Sequence, residues 1–585
     1  MNSHQSSPLA TERLSGGATR LPSRRFGQIA AIAILLLALA LLILLPLAAL
    51  ILRGFIDTDS HTFSVSLQAF VKVLGNPSYW SAMANTFIIA MSTMVLATAI
   101  GVALAWFLVR TNVPWRGMLE KIASMPIFIP PFIGAFAWIL FGAPRIGLVN
   151  VASKVLLTKM HLAALFTGGQ IVNIYTYAGI VWVMGIYIAP YVMMIVAGAL
   201  RNMDPSLEEA AQVSGLSRYR TMRIITLPVV APSILSGAVL AFVISLGLFG
   251  TPVLLGMTAQ IYLVTTRIYT ELQQFPPDAG IVAVLAIYLM SLSVLANMVQ
   301  QRLLRGRSFV TVTGKNFRPR LVHLGPVRFA VAGLVWLYLA FTVFAPIVVI
   351  AAAAFSTYAW SGNCTLANLA FLWQSVDVRS TFVNSLFITV VAASITTLLG
   401  IAVAWFTTRS KMRGKQLLET LVLLPMSVPS LAFGLGVFFF WVWMPKAVGV
   451  YGTVWIIIIA LTGRYLSYSV RAISSNLLQV HPELEESARV CGYGWLRTIT
   501  RITLPLILPS VVSSWVMIYS IFVSELSIVL PLYTANTRTL SILSFDTWSI
   551  GQFSQVASLS LLQLAMGVGV LMAVGIITRP REAQV

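Results

Sequence analysis

Two stretches of this 585-residue chain carry the same spacing of small, acidic and turn-forming residues. In the first, Glu209, Ala210 and Ala211 are followed after three residues by Gly215 and, nine residues later, by Ile225-Thr226-Leu227-Pro228. In the second, Glu486, Ser487 and Ala488 are followed at the same intervals by Gly492 and by Ile502-Thr503-Leu504-Pro505. The pattern predicts a short helix with small residues on one face and a glycine where the chain turns or is approached closely. A basic second helix follows, with a proline expected to end it. The chemistry this suits is docking into a partner's groove. A basic amphipathic helix lying on a membrane surface has a similar composition, but two copies at identical spacing favour docking.

Residues that could make or break bonds are sparse. The five histidines (His4, His61, His161, His323, His481) are scattered singly, and the two cysteines, Cys364 and Cys491, show no zinc-like spacing. Neither a resident metal nor a cofactor is expected. No G-x-x-x-x-G-K-[ST] segment occurs, so the chain has no Walker-type loop for ATP. No grouping of His, Ser and Asp supports an intramembrane enzyme.

The remaining reactive groups are two charges inside apolar runs, each costing at least about 2.5 kcal/mol to insert into hydrocarbon. Glu525, in SIFVSELSIVL, is either a carboxylate on a transport path or a structural one bonded to a neighbouring helix. Arg464, in LTGRYLSYSVRA, is expected to snorkel to nearby headgroups. Helical rise places the two at depths differing by roughly 15 Å, so no ion pair between them is expected.

The elements that position these residues follow from composition. Hydrophobic residues make up 58% of the chain and charged ones 9%, against about 25% charged in soluble domains, and the mean hydropathy is +0.89. An ordinary soluble enzyme is excluded. The net charge of +21 is spread between long apolar runs, which reads as a determinant of membrane topology and not as a nucleic-acid footprint. With about 20 apolar residues needed to cross a core about 30 Å thick, twelve spans fit. They lie roughly at 27–52, 84–109, 123–142, 178–199, 229–256, 279–300, 328–355, 383–408, 418–444, 449–473, 506–532 and 556–578. The first is too long for the h-region of a cleaved signal, roughly 7–15 residues, and reads as a retained anchor. Of the 38 Lys and Arg, 28 fall in segments sharing a side with the N-terminus and nine on the other. Both termini are therefore expected in the cytoplasm.

The two halves repeat. Asn85–Arg110 aligns with Asn384–Arg409 at an offset of 299, pairing Gly101 with Gly400 and Pro126 and Pro130 with Pro425 and Pro429 farther on. Asp204–Gly215 aligns with His481–Gly492 at an offset of 277, so the first half carries 22 extra residues, most simply in 143–177. An even number of spans per unit makes the repeat parallel. The expected fold is an all-α membrane protein of twelve transmembrane helices in two parallel six-helix repeats. Its expected divisions are a cytoplasmic N-terminal tail at 1–26, a first module at 27–300, a cytoplasmic linker at 301–327 and a second module at 328–585.

At the duplicated loops the sequence resembles the permease subunits of type I ABC importers, whose hallmark is the E-A-A loop, and within them the fused permeases with two modules in one chain. The resemblance runs from about residue 84 to the end. It implies that Glu209, Ala210, Ala211, Gly215, Leu227 and Pro228, with Glu486, Ser487, Ala488, Gly492, Leu504 and Pro505, couple to a cytoplasmic ATPase, and Ser487 departs from the motif by one small residue. It also implies that ATP is hydrolysed on a separate subunit, a homodimer, so that this chain is not itself an enzyme. A periplasmic solute-binding protein and a bacterial inner-membrane location follow from the same likeness. The overall length and the LEEAA and SELSIVLPL stretches look most like ferric-iron uptake permeases; thiamine, polyamine and phosphonate systems have similar layouts. In another class, an ion-coupled secondary transporter would share the span count and the repeat. The pathway candidate is Glu525.

The basic asymmetry makes a direct prediction. Cys491 reacts with a membrane-impermeant thiol reagent only after the cytoplasmic membrane is opened, and labelling of Cys491 in sealed cells would reverse the orientation.

Overall fold

The computed structural model describes residues 22–57, 64–160, 170–304, 321–357, 363–409, 414–445 and 449–577. Most of the expected N-terminal tail, the centre of the expected linker and the last eight residues lie outside the described residues. Sixteen helices frame the description, eight in each half. The first eight are α1 (Ile29–Arg53), α2 (Pro77–Arg110), α3 (Pro131–Gly142), α4 (Tyr177–Asn202), α5 (Pro205–Val213), α6 (Tyr219–Gly247), α7 (Val264–Leu272) and α8 (Ala279–Leu304). Their counterparts are α9 (Val327–Ala354), α10 (Val376–Arg409), α11 (Ser430–Trp443), α12 (Val454–Leu477), α13 (Pro482–Val490), α14 (Ile499–Ser524), α15 (Leu540–Ser549) and α16 (Phe553–Ile577).

Ten helices among the described residues are long and apolar enough to cross a membrane. Two bent pairs bring the total to twelve if each pair is one span: Arg116–Phe128 with α3, bent by 98°, and Lys415–Ser427 with α11, bent by 113°. The bends have a cause in the sequence. Ile129 and Val428 each precede a proline, which drives a residue out of the helical region, and both are extended, with ψ of 119° and 127°. The prolines that the repeat aligns thus set the corners of the bent pairs in both halves.

Proline does something different in α1, α6, α9 and α14. Having no N–H and a ring that crowds the carbonyl four residues back, proline can be relieved by widening the preceding turn. The N–H groups of Leu45, Leu227, Ala345 and Leu504, each just before a proline, reach back five residues to the carbonyls of Ala40, Met222, Ala340 and Ile499. Pro228 and Pro505 therefore do not end a helix, as the sequence suggested. The chain passes from the basic loop straight into α6 and α14.

The far ends of α6 and α14 also depart from expectation. The apolar runs at 229–256 and 506–532 are not continuous spans, because the helices stop at Leu248 and Glu525, extended with ψ of 128° and 119°. The remainder of each run turns tightly and leads to α7 and α15. The extra residues of the first half fall between α3 and α4 and include a helix at Leu148–Lys159.

The halves are interlocked by their first helices. α1 packs against α11 and α9 against α3, each on the bent element of the opposite half. Close approach is permitted by glycine: a Cβ on Gly436 would lie 2.7 Å from the Pro46 carbonyl oxygen, and one on Gly463 would lie 2.6 Å from that of Leu42. Within each half the repeat-paired glycines do the same for α2 against α4 and α10 against α12. A Cβ on Gly101 would meet the Ala189 oxygen at 2.7 Å, and one on Gly400 would meet Ser469 Oγ at 2.2 Å.

Gly101→Val and Gly400→Val should each lower stability in detergent by about 1–3 kcal/mol through overpacking. Gly198→Ala, inside a helix where no heavy atom lies within 4 Å of the added carbon, should not lower the unfolding temperature.

Candidate functional site

Each duplicated loop is tied to the helices around it by one buried carboxylate, and it is not the one the motif names. Glu208, one residue before Glu209, is buried, forms an ion pair with Arg110 at the end of α2, and accepts a hydrogen bond from the Thr226 hydroxyl at 2.6 Å. Arg110 is 0% exposed. In the second half Glu485 is buried, lies 3.4 Å from the Arg409 guanidinium and accepts from the Thr503 hydroxyl at 3.0 Å. Arg409 also donates to the carbonyls of Leu477 and Val480, at 2.9 and 2.5 Å. Thr226 and Thr503 are the last residues of the widened turns before Leu-Pro. The two ends of the motif are thus joined through a side chain, and a guanidinium joins both to the second helix of the half.

What remains exposed on α5 and α13 is the opposite face. Glu209, Ala210, Glu486 and Ser487 are exposed, while Ala211 and Ala488 are buried against the bundle. Val213 and Val490, the last residues of the two helices, are 90% and 89% exposed. Gly215 and Gly492 then reverse the chain with φ of +84° in both, a conformation side chains rarely adopt. Leu216 and Tyr493 each donate a backbone N–H to the carbonyl five residues back, at Ala211 and Ala488, both at 3.0 Å, which closes the helix ends. Space around both glycines is open, with no atom within 4 Å of an added Cβ. The glycine is required here by backbone geometry and not by crowding inside the chain. Leu227, Pro228, Leu504 and Pro505 lie at the starts of the helical stems that follow the loops.

The third feature is a cavity of about 120 Å³ between the halves, where the bend at Pro126 and the helices α4 and α6 face α12 and α14. Arg464, Tyr465 and Glu525 line it from the second half. The Tyr465 hydroxyl donates to Glu525 Oε2 at 2.5 Å, and the Ile528 N–H donates to Oε1 at 3.1 Å. Arg464 is 5% exposed and its guanidinium lies 5.4 Å from the Tyr465 ring centroid. Two of its nitrogens, Nε and Nη1, have no hydrogen-bond partner among the described residues. Snorkelling, expected from the sequence, is therefore wrong, and so is the separation in depth. The helix carrying Arg464 extends to Leu477, past the expected end at 473, which sets the residue deeper, and it shares one cavity with Glu525. At an offset of 277 the first-half counterparts of Arg464, Tyr465 and Glu525 are Tyr187, Ile188 and Leu248, so the charged wall occurs once. Among the described residues no three His, Cys, Asp or Glu side chains group as metal ligands.

The profile of the family described as binding-protein-dependent transport system inner membrane component matches twice, at residues 97–308 and 396–579. The chain belongs to this family. Each match begins inside the second helix of a half and runs to its last, leaving the crossed-over α1 and α9 outside both. The protein is 27% identical to the ferric transport system permease protein FbpB of Actinobacillus pleuropneumoniae, over 87% of this chain and 72% of that one. It is 27% identical to the putative ferric transport system permease protein FbpB 1 of Haemophilus influenzae, over 88% and 79%. The sulfate transport system permease protein CysT of Salmonella typhimurium is 26% identical over 46% of this chain and 90% of its own length. This member of the binding-protein-dependent family is thus an ABC importer permease with two modules fused in one multi-pass membrane chain. The family match sets aside the ion-coupled transporter.

Sequence reasoning placed the motif residues on the loops but missed the residues that hold them. Arg110 and Arg409 recur at the offset of 299 found for the second helices, and Glu208 with Glu485 and Thr226 with Thr503 at the motif's own offset of 277. A search for polar identities between the halves would have found all six.

Adjacent glutamates should therefore behave oppositely. Glu208→Ala leaves Arg110 as a buried unpaired cation, and should cost about 3–5 kcal/mol of stability. Glu209→Ala on the exposed face should stay within about 0.5 kcal/mol of the parent. Thermal unfolding in detergent separates the two.

Proposed function

We propose that this permease forms the path for ferric iron in an ATP-driven importer of the bacterial inner membrane, receiving its cargo from a periplasmic binding protein. The observation that carries this reading is the likeness to ferric transport permeases over almost the whole chain, both modules included. The sulfate permease corresponds to a single module and speaks for the family more than for the cargo. The sequence has no phosphate loop, which supports a reading with ATP hydrolysis on a separate protein. Two docking helices with the same geometry, closed by glycines of the same φ, suit an ATPase homodimer with one copy under each module.

In this reading both termini are cytoplasmic, 1–26 is the tail, 27–300 and 328–585 are the modules, and 301–327 is the cytoplasmic linker. The coupling residues are Glu209, Ala210, Ala211, Gly215, Leu227 and Pro228 with Glu486, Ser487, Ala488, Gly492, Leu504 and Pro505. When the ATPase dimer closes, α5 and α13 move with it. The Arg–Glu–Thr contacts carry that movement into α2, α6, α10 and α14, and α6 and α14 end at the central cavity. Glu525 supplies that cavity with a carboxylate that attracts a cation released from the binding protein.

The coupling assignment is tested by Gly215→Asp combined with Gly492→Asp. Space is open at both sites, so the fold tolerates the change apart from about 1 kcal/mol per site for the positive φ. Transport should be lost with the protein still inserted; normal transport with the ATPase still bound would exclude docking at these loops. The cargo is tested in vesicles holding the permease, its ATPase and iron-loaded binding protein. ATP-dependent uptake of radioactive iron should occur and should fall severalfold in Glu525→Gln. Uptake of thiamine or a polyamine in place of iron would remove the iron assignment and leave the permease class intact.

A further inference from the structure

The Arg464 guanidinium lining the central cavity does not serve a path for a bare cation. A trivalent ion there would meet a permanent positive charge in a low-dielectric setting, where repulsion is strong. Glu525 accepts from the Tyr465 hydroxyl and the Ile528 N–H, and among the described residues no ion pair joins it to Arg464. Arg464 is 5% exposed and its Nε and Nη1 have no hydrogen-bond partner among the described residues. A buried charged donor in that condition is a site awaiting an acceptor. The cavity's 120 Å³ leaves room, since a water-sized group needs roughly 10–15 Å³ by the same measure.

We propose that Arg464 anchors an anion-binding site in the central cavity, which takes a small oxyanion or carboxylate crossing the membrane with the cargo. The inference rests on reading the cavity as the permease's path, and not on the cargo being iron. A guanidinium binds planar or tetrahedral oxyanions through several charge-assisted hydrogen bonds. An anion seated on Arg464 and facing Glu525 completes the donors on one side and leaves the carboxylate free to attract a cation on the other. The ligand then has one of two sources: it accompanies a metal cation as its chelating partner, or it is itself transported. The first-half counterpart, Tyr187, offers no positive charge, so one anion is bound and not two.

The test uses the permease–ATPase complex in lipid nanodiscs with [14C]citrate and [32P]phosphate as separate probes. At least one should bind saturably to the wild-type complex, with affinity reduced tenfold or more in Arg464→Gln and reduced to a lesser degree in Arg464→Lys. Arg471→Gln, an exposed arginine on the same helix, should bind like wild type. Absence of saturable binding of both probes to the wild type overturns the proposal, as does equal affinity in Arg464→Gln. If Arg464→Gln fails to assemble, unchanged affinity in Arg464→Lys overturns it instead. In vesicles, entry of labelled anion only with iron-loaded binding protein identifies a companion ligand, and entry without iron identifies the anion as cargo; both support the site. Failure of the wild type to import iron would refute the iron reading while leaving the anion measurement unaffected.

Discussion

Everything on the loop side of this permease hangs on a buried pairing of arginine with glutamate. Taking two charges out of water is costly, and well-packed apolar residues often serve stability as well as an ion pair does. What apolar packing does not supply is direction. Glu208 and Glu485 have oxygens to share between a guanidinium and a threonine hydroxyl, and that sharing fixes the angle between a short surface helix and two long ones. The widened turn before Leu-Pro belongs to the same device. It absorbs the proline without interrupting the helix, and it ends on the threonine that reaches the carboxylate.

The stems that begin at these threonines are long levers. From Thr226 to Leu248 and from Thr503 to Glu525 the chain advances 22 residues, about 33 Å if helical throughout. That is the thickness of a bilayer core. Each stem joins a loop threonine to residues lining the cavity. The helices terminate there in extended residues, so the chain breaks where it meets the cavity.

Much of this was legible in the residues. Span count, repeat, insertion and the duplicated loops all follow from apolar run lengths and from identities between halves, which are local properties. Three things were not. Helix ends at Leu248 and Glu525 were hidden because the apolar run continues through them, and hydropathy does not distinguish a helix from a buried turn. The placement of α1 on α11 and α12 depends on packing between distant segments, marked in the sequence by glycines at 436 and 463. Arg464 was misread because the depth estimate used a helix ending at residue 473, and because snorkelling competes with a polar cavity that only the assembled halves create.

Covalent fusion of the modules has a consequence for symmetry. A permease assembled from two identical chains must present any cavity residue twice, so an arginine and a glutamate on one wall would face another arginine and glutamate across the axis. Two like charges would then share a space of this size, each raising the free energy of the other. One chain with diverged halves escapes that constraint. Tyr187, Ile188 and Leu248 stand where the second half has Arg464, Tyr465 and Glu525. The cavity thereby becomes polarised across its width, with its charged side chains on one wall, where a homodimer would repeat each wall by a twofold rotation. The two loops keep the same geometry, with equal φ at Gly215 and Gly492, so one wall has diverged while the loops have stayed alike.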